Sequence, residues 1–455
     1  MREFDFTLSV PLPEDIEKRK WAGDLKGAVE AIDRRLKLDL PAALAERLKL
    51  EREVILRLPT QYPYNRETAL QKMQEAIPDF TKEELDELEL DGKVDFIYLN
   101  GHRRYFVRFK PTLLKMPALM ARAGEAVSKN SPWLDPLIER IQKEGKLTAH
   151  AEISASLYAT DKAFIPCETY RAHLPIPAKA AQTKDIKIAF SGFQPKHIDD
   201  ENAYQRTAYF EEILGHNMTF AADYSFTQTI RYADLKKPAP DMPLYPDAPA
   251  PTEADLMEEG SCIRFTPYLR QLCADITAGK DTPLLAARAI YDFVTTKVTY
   301  AFVRDYFQIA NLGEYAAVNL RGDCGIQALL FINLCRIAGI PARWQSGLVI
   351  AADYIGSHDW AQFYLDGWGW LFADCSFGGG ANRAGNEDRR QFYFGNLEPL
   401  RIVFNSAYER PFEIEKRFPR YDPYDNQTGE IECLQKGFNG RETDCDLTLV
   451  SLIYD

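Results

Sequence analysis

The chain has 455 residues, with 55 Lys and Arg against 67 Asp and Glu and a net charge of -12. That balance, with no clustered Lys and Arg, excludes the basic surface on which phosphate binding relies, so nucleic acid is not an expected partner. A composition of 46% hydrophobic and 27% charged residues is that of a folded globular chain long enough for several cores.

The segment Met1-Arg2-Glu3-Phe4-Asp5-Phe6 places acids where a signal peptide needs a basic start. No later stretch approaches about 18 uninterrupted apolar residues, so the chain reads as cytoplasmic, without membrane association. Eight cysteines without framework spacing or a Cys-x-x-Cys pair imply neither a disulfide scaffold nor a zinc site, and Cys433 and Cys445 are expected as free thiols. No calcium loop of the Asp-x-Asp-x-Asp-Gly kind is visible, so neither metal nor cofactor is expected.

Residues 14 to 130 are rich in Leu, Ala, Glu, Lys and Arg, with Leu44, Leu48 and Ile55 at helical spacing, which predicts a helical region over 1–135. Thr81 with Glu84 forms a capping box ahead of Leu85 and Leu88. Residues 95–98 and 103–108 flank Asn100-Gly101, the strongest two-residue hairpin signal, which predicts a β-hairpin near 95–108. Helix then hairpin is the order of a winged helix, but the acids within 83–89 favour a structural role over DNA binding. Trp21-Ala22-Gly23-Asp24 with Ala28 and Ile32 resembles a single helical-repeat hairpin.

From about 147 to 235 the pattern changes to short alternating segments such as 148–153 and 224–231, which predicts a β-sandwich-like domain over 145–236. Six prolines within 238–251 make 237–255 a stiff, extended linker. Beyond it, 283–297 reads as a helix, with Pro283 in its first turn and Leu284, Ala287, Ile290, Phe293 and Val294 at helical spacing. A second helix follows Cys324, with Ile326, Leu329, Leu330, Leu334 and Ile337 mostly on one face, and Gly339 and Pro341 stop it.

Cys324 thus opens a buried helix, where unpaired N–H groups and the positive end of the dipole stabilise a thiolate and can hold an oxyanion. Gly322, Asp323 and Gly325 around it describe a tight turn into the helix, whereas Cys335, in mid-helix, fits a packed hydrophobe. Among His102, His150, His173, His197, His216 and His358, only His358 shares a compact α/β unit with Cys324. Leu365-Asp366-Gly367 suits a three-residue hairpin turn that pairs Tyr364 with Trp368. Counted outward, that register sets His358 opposite Asp374, close enough for a carboxylate to orient an imidazole. A two-residue Asp366-Gly367 loop would place them on opposite faces.

These residues resemble the transglutaminase-like superfamily of papain-like thiol enzymes, in its bacterial type. The matching features are Gly322-Asp323-Cys324 before a helix, Gly339-Ile340-Pro341-Ala342-Arg343, His358-Asp359-Trp360-Ala361, and Asp374 followed by Ser376. Phe394-Gly395-Asn396 followed by Arg401 is similar to the segment that trails such domains. The resemblance implies a multidomain α+β chain: the helical region, the β-sandwich, a transglutaminase-like catalytic domain over 256–405, and a C-terminal extension over 406–455 packing on the other domains. It also implies Cys324 as nucleophile, His358 as general base and acid, and Asp374 as the orienting carboxylate. The reaction implied is acyl transfer from the amide of a protein or peptide substrate through a thioester. Hydrolysis is the first expectation, crosslinking to an amine the second, and a catalytically idle binding scaffold the third. Gln362 stands where the family often has Glu, and Gly325 where animal crosslinking members usually carry Trp, which weakens the amine-acceptor reading. Asn319, Gln308 and Tyr315 are polar candidates for the oxyanion hole. Trp360 is a candidate for a substrate cleft, although Trp344, Trp360, Trp368 and Trp370 equally suit a core, and Arg343 is expected to hold the strand that follows it.

Overall fold

The computed structural model describes residues 7–8, 10–125, 128–351 and 354–455, so the acidic start read above, residues 1–6, lies outside it. The fold is mixed, as expected, and divides into two compact units. One comprises Met1–Lys129, Glu259–Arg264 and Val298–Asp323, the other Asn130–Glu258, Phe265–Lys297 and Cys324–Asp455. Among the described residues no helix is long and apolar enough to cross a membrane.

In the first unit Glu14–Trp21, Leu25–Arg35, Ala42–Gln61, Arg66–Gln74 and Lys82–Leu90 are helices. Their apolar faces meet around Ile16, Ile32, Leu48 and Ile55, and again around Met73, Phe80, Leu85 and Phe109. The capping box forms: Glu84 N–H donates to Thr81 Oγ1 at 3.2 Å and Thr81 N–H to Glu84 Oε2 at 2.8 Å. Phe96–Leu99 pairs with His102–Tyr105 through Asn100 and Gly101, both at positive φ (50° and 77°), the type I′ geometry that Asn-Gly favours. The acids of this stretch are engaged locally, Glu84 by Arg122 and Glu89 by Arg103 and the Tyr105 hydroxyl.

The second unit is built on β1 (Lys146–Ala159), β2 (Glu168–Pro175), β3 (Thr183–Ser191), β4 (His197–Ile198), β5 (Thr207–Leu214), β6 (Phe220–Arg231), β7 (Ala342–Ala351), β8 (Tyr354–Leu365), β9 (Gly369–Ala373), β10 (Phe394–Gly395), β11 (Arg401–Asn405), β12 (Glu430–Cys433) and β13 (Thr443–Tyr454). Three antiparallel sheets result, in the orders β13-β1-β6-β3, β12-β2-β5-β4 and β10-β9-β8-β7-β11. The first two form the leaves of a sandwich, where Phe210 of β5 meets Phe190 of β3 and Phe220 of β6. Alternate residues of β1 and β6 are buried, as one packed face per strand requires. The C-terminal segment supplies one strand to each leaf, so Cys433 and Cys445 lie in different sheets. The third sheet is buried along nearly all of β7, β9 and β11 and carries helix Cys324–Ile337 against β8, with Phe331 on Phe363.

Two features near this sheet differ from simple expectation. The proline-rich stretch lies along the β8–β9 hairpin: Leu244 N–H donates to Trp368 O at 3.1 Å and the Trp370 indole N–H to Pro249 O at 2.7 Å. The hairpin itself pairs Leu365 with Gly369 and Ala361 with Ala373, two residues along from the predicted Tyr364–Trp368 register. Its loop is still three residues, but it runs over 366–368, because Gly369 joins Gly367 at a φ of 80° and becomes the closing residue. A slip of two residues leaves every side chain on its own face, where a slip of one would have reversed them all. Asp374, just past β9, is therefore diagonal to His358 instead of directly opposite.

Candidate active site

Cys324 is the first residue of a helix buried from Gly325 to Arg336 and is itself half-buried. Gly339, at a φ of 76°, ends that helix, and Ile340 N–H returns to Cys335 O at 2.9 Å. Burial pushes the Cys335 thiol far above its usual range, as a packed mid-helix cysteine requires.

His358 Nε2 lies 2.7 Å from Asp374 Oδ2. The diagonal neighbours are thus close enough for the imidazole to bridge them. Asp374 also caps the next helix, Cys375–Arg383, by accepting the Phe377 N–H on Oδ1 at 2.8 Å. Its Oδ2 forms an ion pair with Arg401 Nη1 at 2.8 Å, and Arg401 Nε donates to Glu398 Oε1 at 2.6 Å. Asp374, Glu398 and Arg401 are all completely buried. Burial by itself raises the Asp374 carboxyl, but the charges of His358 and Arg401 outweigh it and hold the group at about 2. Asp374 is then ionised at neutral pH and accepts the Nε2 proton, so Nδ1 is the ring nitrogen left to exchange a proton. Phe377 and Trp360 flank the imidazole, with centroids at 4.8 and 6.2 Å.

The thiol of Cys324 donates to Asp359 Oδ2 at 3.2 Å. Asp359 follows His358 on β8 and pairs across to Ser346 of β7. Gln427, from the C-terminal segment, donates through Nε2 to Asp359 Oδ1 at 2.7 Å and to His358 O at 3.1 Å. Asp425 shares a hydrogen bond with Asp359 and accepts from Ser346 Oγ at 2.5 Å. Asn405 fixes the same segment, donating to Ser346 Oγ and Asn426 O, each at 3.1 Å. Sequence reasoning singled out none of Asp359, Asp425, Gln427 or Glu398 and gave Arg401 no partner. Asp359 had a signal in its place between His358 and Trp360; Gln427 had none.

The remaining candidates are placed elsewhere. Gln308, Tyr315 and Asn319 belong to the first unit. There Asn319 donates to Tyr315 O at 2.9 Å, the Tyr315 ring lies 5.8 Å from the Arg304 guanidinium, and both side-chain polar atoms of Gln308 are sealed without a hydrogen-bond partner among the described residues. Trp360 is completely buried and its indole N–H donates to Gln345 Oε1 at 2.9 Å. Trp344, Trp368 and Trp370 are buried as well. Arg343 stacks on Trp370 at 3.9 Å and donates to Gln362 Oε1 at 2.8 Å, directly across β7 and β8, with burial bringing it down to about 10.

Residues 270–375 match the transglutaminase-like superfamily. No curated protein matches the chain. Among solved structures, the chain is similar to a candidate cysteine protease from Cytophaga hutchinsonii at 13% identity and a TM-score of 0.44, over 67% of this chain and 91% of that one. It is also similar to the periplasmic domain of TgpA from Pseudomonas aeruginosa at 14% identity and a TM-score of 0.28, over 57% of this chain and 96% of that one. The ethylmercury-bound form of that domain gives 14% and 0.28, over 56% and 97%. The segment 270–375 that matches the transglutaminase-like superfamily holds Cys324, His358 and Asp374.

Proposed function

We propose that the protein is a thiol-dependent hydrolase of a peptide or side-chain amide, with Cys324 as nucleophile, His358 as general base and acid, and Asp374 as its orienting carboxylate. The observation that carries this reading is the buried His358–Asp374 hydrogen bond at 2.7 Å, in one superfamily segment with a half-buried cysteine at a helix start. An ionised carboxylate on Nε2 fixes the tautomer whose Nδ1 can take a proton, which is the role an orienting acid has in such a triad.

In this reading Sγ attacks the amide carbonyl carbon while its proton passes to His358 Nδ1, and the leading N–H groups of the helix stabilise the oxyanion. The imidazolium returns that proton to the leaving amine as the C–N bond breaks, leaving a thioester. Water then attacks the thioester carbon and gives a proton to His358. The C–S bond breaks, and the thiol and a carboxylic acid are released. Asp374, held at about 2, stays ionised and stabilises the imidazolium throughout.

The test is a panel of peptide and glutamine amides offered together with a labelled primary amine, scoring released amine or ammonia against incorporated label. Release without incorporation, lost in Cys324→Ala and His358→Ala, is the expected result. Incorporation in place of release would turn the reading to crosslinking. No turnover, with Cys324 alkylated no faster than the exposed Cys167, would leave only a binding scaffold.

A further inference from the structure

His197, in β4, and Asp199, just past it, are two residues apart, so their side chains leave the strand on one face. Glu413, 216 residues from His197 and in the C-terminal segment, meets them there. His197 Nε2 lies 3.0 Å from Glu413 Oε2 and 3.2 Å from Asp199 Oδ1, and the three atoms lie within 4.8 Å of one another. The ring nitrogen is in hydrogen-bonding geometry with Glu413 only; Asp199 Oδ1 takes no hydrogen bond from any described residue. Asp199 is 4% exposed, and its other oxygen is pinned by the Thr207 N–H at 2.9 Å. Glu413 is set by its neighbours: the Phe412 ring stacks on His173 at 4.5 Å, and Ile414 O lies 2.9 Å from His173 Nε2. Both acids line a cavity of about 370 Å³. Among the described residues neither is ion-paired by a lysine or arginine. Lys196 pairs with Glu212 at 3.2 Å, Arg206 donates to the carbonyls of Pro177 and Asp199, and Arg410, on the cavity wall, lies over the Tyr204 ring at 5.0 Å.

We propose that His197, Asp199 and Glu413 form a site for one divalent transition-metal ion such as zinc, which ties β4 to the C-terminal segment. The donors fit in kind and in spacing. An imidazole nitrogen with carboxylate oxygens is a zinc ligand set, and donors held about 2.0–2.2 Å from an ion at roughly 90–109° stand about 3.0–3.5 Å apart. The 3.0 and 3.2 Å edges fall in that range. Two carboxylates and a neutral imidazole carry two negative charges, which one dication balances, whereas a single N–H reaches only one of them. The half-exposed Glu413 closes the third edge by turning its own side chain, and the cavity leaves room for water at the open position. The Thr207 N–H is the outer contact that orients Asp199. Short metal motifs miss such a site because its third donor is distant in the chain. The segment it anchors runs on to Gln427, which donates to the His358 carbonyl, but the site stands apart from Cys324 and from the amide reaction proposed above.

The experiment is a calorimetric titration of zinc chloride into the full-length protein after stripping with EDTA, in wild type and in Cys324→Ser, which removes the active-site thiol as a rival ligand. Cys324→Ser should keep one zinc per chain. Adding Glu413→Gln or His197→Gln to it should weaken binding by at least the roughly tenfold that loss of an outer contact alone costs. Both side chains are partly exposed, so these changes leave the fold intact, which circular dichroism checks. Asp247→Asn, which removes an exposed acid elsewhere in the same unit, should leave binding unchanged. Saturating zinc should also raise the thermal unfolding midpoint of Cys324→Ser, and should no longer do so once Glu413→Gln is added. No zinc held by Cys324→Ser overturns the proposal. So does uptake that the two ligand changes leave intact or that Asp247→Asn lowers equally, and so does calcium bound more tightly than zinc.

Discussion

Arg401→Met is the most searching perturbation of the imidazole side of the site. The guanidinium is completely buried between two completely buried carboxylates, Asp374 at 2.8 Å and Glu398 at 2.6 Å. Methionine keeps much of the stem's volume and removes the charge, which strands both acids. Breaking a buried ion pair by deleting one partner costs about 3–5 kcal/mol, and the two acids share this one cation, so a total of about 5 kcal/mol is expected. Asp374 shows where part of that loss comes from. Its folded-state value, about 2, lies below the 3.8 of an ordinary aspartate, so its ionised form contributes about 2 kcal/mol. That contribution is fully present above pH 3.8 and is lost as pH falls through 2. Without Arg401 one of the two opposing charges is gone, burial pushes the carboxyl back up, and the contribution shrinks already at neutral pH. Adding Glu398→Gln restores the net charge of the wild-type cluster and should recover about 1–3 kcal/mol. Urea unfolding followed by tryptophan fluorescence reads this directly, because Trp344, Trp360, Trp368 and Trp370 are all buried in the same unit and Trp360 lies 5.4 Å from Arg401. A loss under about 1 kcal/mol, or no recovery in the double variant, would refute the claim that this cation holds Asp374 ionised.

Asp374→Ala should lower kcat/KM by about a thousandfold or more while removing a helix cap worth about 1 kcal/mol; steady-state kinetics beside a thermal melt separates the two effects. Gly347→Ala should cost about 3 kcal/mol or more, since a Cβ there would lie 2.0 Å from Ile402 O, backbone of the strand that carries Arg401; differential scanning calorimetry checks it. Gly367→Ala forces a side chain to a φ of 80° with Ala239 Cβ at 2.8 Å and should cost about 1–2 kcal/mol by chemical denaturation. Thr81→Ala, which removes half of a capping box in the first unit, should cost about 1 kcal/mol and leave amide turnover unchanged.

What the sequence disclosed here was local chemistry. Asn100-Gly101 closes its hairpin because only a few residues accept two consecutive positive φ values. The Cys324 helix starts and stops where Gly325, Gly339 and Pro341 suggest, because caps and breakers act on their own neighbours. The observed β8–β9 register lies two residues from the expected one because Gly369 takes a second left-handed position at the turn. The error was harmless to the His358–Asp374 pairing because the pleat repeats every two residues. Asp359, Gln427, Asp425 and the Arg401–Glu398 pair were not legible for a different reason. Apart from Arg401–Glu398, three residues apart, each contact joins segments distant in the chain, and a lone buried Gln or Arg carries no spacing pattern that periodicity could expose.

The chemistry of these late-chain residues bears on what the fold is for. Burying an ion pair is a poor way to gain stability, since well-packed apolar side chains of similar volume commonly do as well or better. Yet Asp374, Arg401 and Glu398 are completely buried together, and a second set of acids, Asp359 and Asp425, is nearly so. Stability alone does not account for two such clusters at consecutive residues, His358 and Asp359, of one strand. Orientation does: one cluster hydrogen-bonds the His358 imidazole, and the other sets an acceptor against the Cys324 thiol. The C-terminal segment that supplies Gln427 and Asp425 also adds β12 and β13 to the sandwich leaves, so anchoring that segment and positioning the thiol's partner are one structural task.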